Sequence, residues 1–213
     1  KEAMEILSSL TGVKIKGYDK EKETLRKNVY SLFKDIVRYY KKSLENNPWV
    51  QKYLLDRWIN SESLATFEFW YADSGVELYN YLKQKWYDDE LIIESNVFSD
   101  IKIKKDKFIG RVIFPLKNIR GDIVGLAGRI IHVWEPKYLN SPASQIYDKS
   151  SILYGLFEAR WEITKKDFII ITEWYMDTIA LHQAGFKNTV CVSGTALTEK
   201  HIGVIKKLTS RIY

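Results

Sequence analysis

Two carboxylates four residues apart, Glu173 and Asp177, stand where an apolar run gives way to a helical pattern in DFIIITEWYMDTIALHQAGF, residues 167–186. Phe168 to Thr172 read as a strand, so Glu173 falls at its carboxyl end and Asp177 in the first turn of the following helix. In open α/β sheets that edge is where ligands bind. Paired carboxylates there suit a hard divalent cation such as Mg2+, or proton transfer. The same residues admit a structural account, in which Asp177 complements the helix dipole and Glu173 is a solvated strand end.

Complementary chemistry lies upstream. Between Lys102 and Arg120 there are seven basic residues against one acid, Asp106, in a chain whose net charge is +6. A basic strip of this kind is the footprint expected for a polyanion such as nucleic acid, or else a solvated charged hairpin. His132, His182 and His201 have no metal-ligand spacing and read as structural. The lone Cys191, within NTVCVSG, reads as core packing and excludes an internal disulfide or a cysteine-based zinc site in this segment.

The secondary structure carrying these groups follows from pattern. Of 213 residues 46 % are hydrophobic, enough for a real core. No apolar run approaches the roughly 20 residues of a membrane span, and the start lacks a signal-peptide layout, so the expectation is a cytoplasmic protein with no membrane partner. The first hundred residues read helical, with an amphipathic stripe over Lys22–Asn46, then helices from Pro48 and Ser61. After Asp100, KFIGRVIFPL and DIVGLAGRIIHV read as strands, PKYLNSPAS (136–144) as a loop, and Ser150–Arg160 as a short helix. Strand 168–172, helix 176–185, strand 189–193, helix 198–208 and a strand beginning at Arg211 then imply a parallel, doubly wound sheet.

Five segments, YLLDRWINSESLATFEF, RVIFPLKNIRGDIVGLAGR, PKYLNSPASQIYDKSSILYGLFEAR, EWYMDTIALHQAGF and SGTALTEKH, occur in the order and near the spacing of one family. From about residue 22 onward the chain resembles the RNA-polymerase core of bacterial DnaG-type primases. The resemblance implies an α+β N-terminal subdomain over residues 1–160, helical first and β-rich from about 101. An α/β Toprim portion with a Rossmann-like parallel sheet follows over 161–213, truncated at its C-terminus. It implies a DNA-directed RNA polymerase, a nucleotidyltransferase making short RNA primers on single-stranded DNA for replication. Glu173 matches the catalytic and metal-binding Toprim glutamate and Asp177 the aspartate of the same motif, for Mg2+ (or Mn2+). Arg111, Arg129 and Lys137 match residues that hold template or nucleotide, with Tyr138, Asn140 and Ser141 in the loop beside Lys137. Gly128 and Gly194 are candidate backbone-approach positions.

The implied partners are a single-stranded DNA template, ribonucleotides, and a replicative helicase through a C-terminal domain not in this segment; zinc belongs to an upstream domain, also absent. The family's metal site is completed by an Asp-x-Asp motif on the strand after the one beginning at Arg211, which places the remaining metal ligands beyond Tyr213. The segment alone is therefore expected to hold Mg2+ weakly and to make no primers. Two alternatives are another Toprim enzyme, a topoisomerase or nuclease, and a non-catalytic template-binding module.

The tryptophans depart from the family pattern together. Trp58, Trp70 and Trp174 stand where the family has glycine, and Trp86 where a helix cap expects it. Trp49, Trp134 and Trp161 sit beside Pro48, in a loop, and at the end of a helix. With 11 glycines and seven tryptophans, the expectation is that all seven occupy glycine-like places, the gene reading UGA as glycine; the alternative is seven real tryptophans, strained wherever a turn needs positive φ.

Overall fold

The computed structural model describes residues 20–132, 135–194 and 196–213. Helix α1 (Lys20–Asn46) carries the expected stripe, burying Val29, Leu32, Phe33, Ile36 and Tyr40. Helices α2 (Pro48–Asp56) and α3 (Ser61–Phe67) follow. Pro48 sits in the first turn of α2, where its missing N–H costs nothing, and Asn60 caps α3 by accepting from the Ser63 N–H.

The helical reading of the first hundred residues needs correction. It missed β1 (Trp70–Ala72) and β2 (Phe98–Asp100), which flank α4 (Gly75–Gln84) and α5 (Asp89–Glu94). Each of these strands is three residues, too short to show a period of two. The strand β2 pairs with β3 (Lys105–Asp106), and β1 joins the antiparallel sheet formed with β4 (Arg111–Lys117), β5 (Ile123–Ile130) and β6 (Tyr138–Asn140), in the order β1-β4-β5-β6. Strand β6 lies inside the segment read as a loop; its Leu139 and Tyr138 pair with Gly128 and Arg129.

The sheet is buried on both faces, which explains the unbroken apolar run of β4. Ile113 packs with α1, whereas Val112, Phe114 and Leu116 pack with Tyr175, Ile179 and Cys191 from the C-terminal part. That part alternates helix and strand as expected: α6 (Leu156–Lys166), β7 (Ile170–Thr172), α7 (Tyr175–Gln183), β8 (Thr189–Cys191) and α8 (Glu199–Ile205). Strands β7 and β8 are parallel. The strand expected from Arg211 is present as a single parallel bridge, Ile212 against Ile169. Helix α6 starts six residues later than the sequence suggested, because Tyr154 first bridges Cys191 and Gly155 turns the chain at φ 80°.

The tryptophans do not share one environment. Trp58 and Trp86 adopt φ of 71° and 65°. Each sits just past the end of a helix in a Schellman arrangement. Trp86 N–H donates to Lys83 O and Tyr87 N–H to Leu82 O; Trp58 N–H donates to Leu55 O and Ile59 N–H to Leu54 O. Both indoles are almost wholly exposed. These two places are glycine-like. Trp70 instead is buried at the start of β1, Trp161 is exposed within α6, Trp49 lies in the first turn of α2, and Trp174 caps α7 at φ −121°. Trp134 lies outside the described residues.

Candidate active site at the mouth of the parallel sheet

Strand β7 delivers Glu173 to its carboxyl end, and the turn into α7 brings Asp177 one helical turn further on. Both carboxylates are exposed. The turn is held by the Gly194 N–H donating to Glu173 O at 3.1 Å. Among the described residues no group of three or more His, Cys, Asp or Glu side chains is placed to hold a metal. The two carboxylates have the hard oxygen donors a divalent cation selects, but they supply only two ligand side chains. The further ligands expected beyond Tyr213 are not among the described residues, and Tyr213 itself does not join the site. Its backbone pairs with β7, N–H donating to Ile169 O and O accepting from the Ile171 N–H, both at 2.9 Å. Its ring packs edge-on against Phe168 at 5.4 Å, at the amino end of that strand and so at the far end from Glu173.

Beside the carboxylates opens a pocket of about 1120 Å3. Its cationic side chains are Arg57, Arg129, Lys137 and Lys149; Asp177 is its acid, and Tyr138 and Trp174 its aromatic groups. Four separate elements supply the cations: the end of α2, strand β5, the approach to β6, and the loop before α6. The basic strip of the sequence is therefore not what gathers charge here. Lys117 is half-buried and held between Glu158 at 2.9 Å and Glu68 at 2.6 Å. Arg120 pairs with Asp122 at the opposite end of the sheet from Arg111. A seven-residue strand separates those ends by about 20 Å. Lys104 faces α4, bonding Asn80 and lying 4.8 Å over the Tyr79 ring.

Of the residues expected at the site, Arg129, Lys137, Tyr138, Asn140, Ser141 and Asp177 line one pocket, while Glu173 and Arg111 stand outside its wall. Arg111 is 5 % exposed, and its Nη1 donates to Pro136 O at 2.8 Å and Lys137 O at 3.4 Å. Burial pulls its pKa below the ordinary guanidinium value, with Glu135 opposing. It grips the backbone that carries Lys137. Gly128 makes this possible, since a Cβ there would lie 2.8 Å from the Phe108 ring and 2.9 Å from Arg111 Cδ.

Two neighbours of Tyr138 also serve as braces. Asn140 accepts from Tyr175 Oη at 2.6 Å and donates to Ser193 O at 3.2 Å, joining the sheet to the C-terminal part. Ser141 Oγ accepts from the Leu126 N–H at 2.9 Å, extending the β5–β6 ladder. Tyr138 stacks on Trp174 with centroids 5.4 Å apart, so the indole leans on this ring and on Gly194 rather than on Glu173. Burial raises the Tyr138 pKa; Arg129 and Arg57 act against that and Tyr53 and Asp177 with it, which puts all four within its electrostatic reach.

Sequence reasoning passed over Arg57, Lys149 and Tyr53. Arg57 and Tyr53 lie within YLLDRWI and Lys149 within SQIYDKSS, but nothing in their spacing marks them; only the fold brings them to the pocket. The histidines are structural: His182 Nε2 bonds Thr189 O at 2.8 Å in the core, and His201 closes a capping box with Thr198. His132 lies 5.8 Å from the Trp49 ring. Cys191 is buried, and burial pushes its thiol up to about 11.

A parallel pair of strands, one ending on two carboxylates, packed on an antiparallel sheet, defines a two-part α/β core with cations and an acid in one pocket. The family described as DNA primase catalytic core, N-terminal domain matches residues 39–160, and the Toprim domain family matches residues 167–212. The chain belongs to the DNA primase catalytic core family. It is 39 % identical to a DNA primase of Clostridium acetobutylicum over 93 % of its length, and spans 33 % of that relative. A crystal structure of the Aquifex aeolicus primase, covering zinc-binding and RNA polymerase domains, superimposes with TM-score 0.84 at 32 % identity, over all of this chain and 52 % of that one. A DnaG primase catalytic domain bound to single-stranded DNA superimposes with TM-score 0.79 at 30 % identity, over 89 % of this chain and 61 % of that one. This chain thus spans 33 % of that curated relative and 52 % and 61 % of the two solved structures. Among the described residues no helix is long and apolar enough to cross a membrane.

Proposed function

We propose that this chain forms the template- and nucleotide-binding part of a DNA-directed RNA polymerase that makes primers on single-stranded DNA. The observation that carries the reading is one pocket joining four cationic side chains to Asp177 at the carboxyl end of a parallel strand. Guanidinium and ammonium groups neutralise phosphates, and aromatic faces such as Tyr138 accept bases without regard to sequence. In this reading Arg57, Arg129, Lys137 and Lys149 hold the phosphates of template or ribonucleotide. Arg111, Asn140 and Ser141 set the geometry of the loop that carries Lys137 and Tyr138.

Glu173 and Asp177 are the residues that would hold Mg2+ (or Mn2+), which when bound would offset charge developing on the reacting phosphate. With two carboxylates from the described residues the ion would be held weakly, so primer synthesis is not expected of this chain by itself. The domain division supporting the reading is a basic subdomain to about residue 160 and a Toprim portion after it. The helicase partnership that the resemblance implies is no part of this pocket.

Binding of a fluorescein-labelled oligo(dT), about 16 nucleotides long to match the upper range of single-strand site sizes, followed by anisotropy across a salt series, tests the reading. Affinity should fall steeply with salt. Arg129→Glu with Lys137→Glu should weaken binding more than about tenfold and flatten the salt slope. Unchanged affinity in that double variant would mean that the pocket does not carry the strand.

A further inference from the structure

Resting on the nucleic-acid reading above, we infer that Tyr53 is the positioning residue that aims the two arginines of the pocket at their phosphates. Arg129 rises from β5 and is 6 % exposed, yet its Nε has no hydrogen-bond partner among the described residues. Its one polar contact with a side chain there is Nη1 donating to Tyr53 Oη at 2.7 Å. Tyr53 comes from α2, 76 positions earlier in the chain. The ring of Tyr138 lies on the guanidinium as well, 5.8 Å from Cζ.

The same Tyr53 ring also meets the second arginine. Arg57 Cζ lies 5.3 Å from its centroid, against 5.9 Å for Arg129 Cζ. One phenol therefore touches two cations that both line the pocket. Among the described residues neither arginine has a carboxylate within ion-pair distance. Two like charges held near each other, neither of them in an ion pair, form an unfavourable arrangement until an anion arrives. The negative face of the Tyr53 ring lowers that cost, and its Oη fixes the rotation of the Arg129 fork. An arginine has much rotamer freedom to lose, so fixing it before the ligand binds favours binding. Tyr53 does not line the pocket itself, which makes its role one of aim rather than contact.

Tyr53→Phe keeps the ring and removes only the Oη acceptor. In the oligo(dT) anisotropy assay this variant should bind about five- to tenfold more weakly than the parent chain, a loss expected when one more side chain must be ordered on binding. Its melting temperature should fall by no more than several degrees, with the melt still cooperative. In an Arg129→Ala background the same change should have little further effect, because the group being aimed is gone. Full affinity in Tyr53→Phe overturns the inference and leaves the binding reading standing. A loss that persists undiminished beside Arg129→Ala overturns it too, by showing a general effect on the helix. A parent chain that binds no oligo(dT) overturns the binding reading itself, and the inference with it.

Discussion

Asp106 is 2 % exposed beneath α1, where its carboxylate accepts from Tyr40 Oη at 2.6 Å and from the Phe108 N–H at 2.7 Å. Burial raises its pKa to about 6; Tyr40 and the Phe108 amide pull downward, and Asp73 pushes upward. In the unfolded chain an aspartate ionises near about 4. Between about pH 4 and 6 the folded state therefore keeps a proton that the unfolded state has released. The stability owed to this group is greatest below that window, falls as pH rises through it, and is level above. Asp106→Asn removes the dependence, so the variant's melting temperature relative to the parent should climb by several degrees from about pH 4 to about pH 7. A constant difference across that range would show that Asp106 does not titrate there. This acid was visible in the sequence only as the lone negative charge in a basic window. Its burial comes from the β2–β3 hairpin folding against a helix 66 residues away.

Among the helices and strands, the tryptophans separate by where each element puts them. Past the ends of α2 and α4 the backbone is left-handed, a conformation costing a residue with Cβ about 1 kcal/mol relative to glycine. Trp58→Gly and Trp86→Gly, which give up almost no buried surface, should each raise the melting temperature by a few degrees. The sign reverses elsewhere. Trp161→Gly inside α6 should cost about 1 kcal/mol, and Trp70→Gly, emptying a place in the core, about 3–5 kcal/mol. Thermal melts of the four variants check the set, and a destabilised Trp58→Gly or Trp86→Gly would refute the strain argument. The codons at these positions bear on the expectation that UGA is read as glycine here. The long helix α1 and strands β4 and β5 were legible because their patterns repeat over many residues. The three-residue β1, β2 and β6 were not, since their pairing partners, not their own sequences, make them strands.

Across the whole molecule the two portions are not separable bodies. Val112, Phe114 and Leu116 of the antiparallel sheet share one core with Tyr175, Ile179 and Cys191 of the parallel part. Phe114 stacks on Tyr175 at 5.2 Å, Gln183 bonds both Trp58 O and the Asn60 N–H, and Lys187 pairs with Glu62 at 3.0 Å. The chain should therefore unfold in urea as one transition, with far-UV circular dichroism and tryptophan fluorescence superimposing. Two separated transitions would show that the portions are stable independently. This joint is what sets the pocket, because it places the end of α2 and the β5–β6 ladder against the mouth of β7. The alternation that makes a parallel sheet, the acidic strand end at Glu173 and Asp177, and the family motifs could all be read from the chain, since each is a local pattern. Arg129 and Lys137 followed from the family motifs, but the other cations that meet Asp177 could not be read and were settled by packing. Lys117 and Arg120, close in the chain to Arg111, are drawn off into ion pairs, while Arg57 and Lys149 come in from distant segments. Charge counted along a chain carries no information about direction, and only strand register and packing give it one.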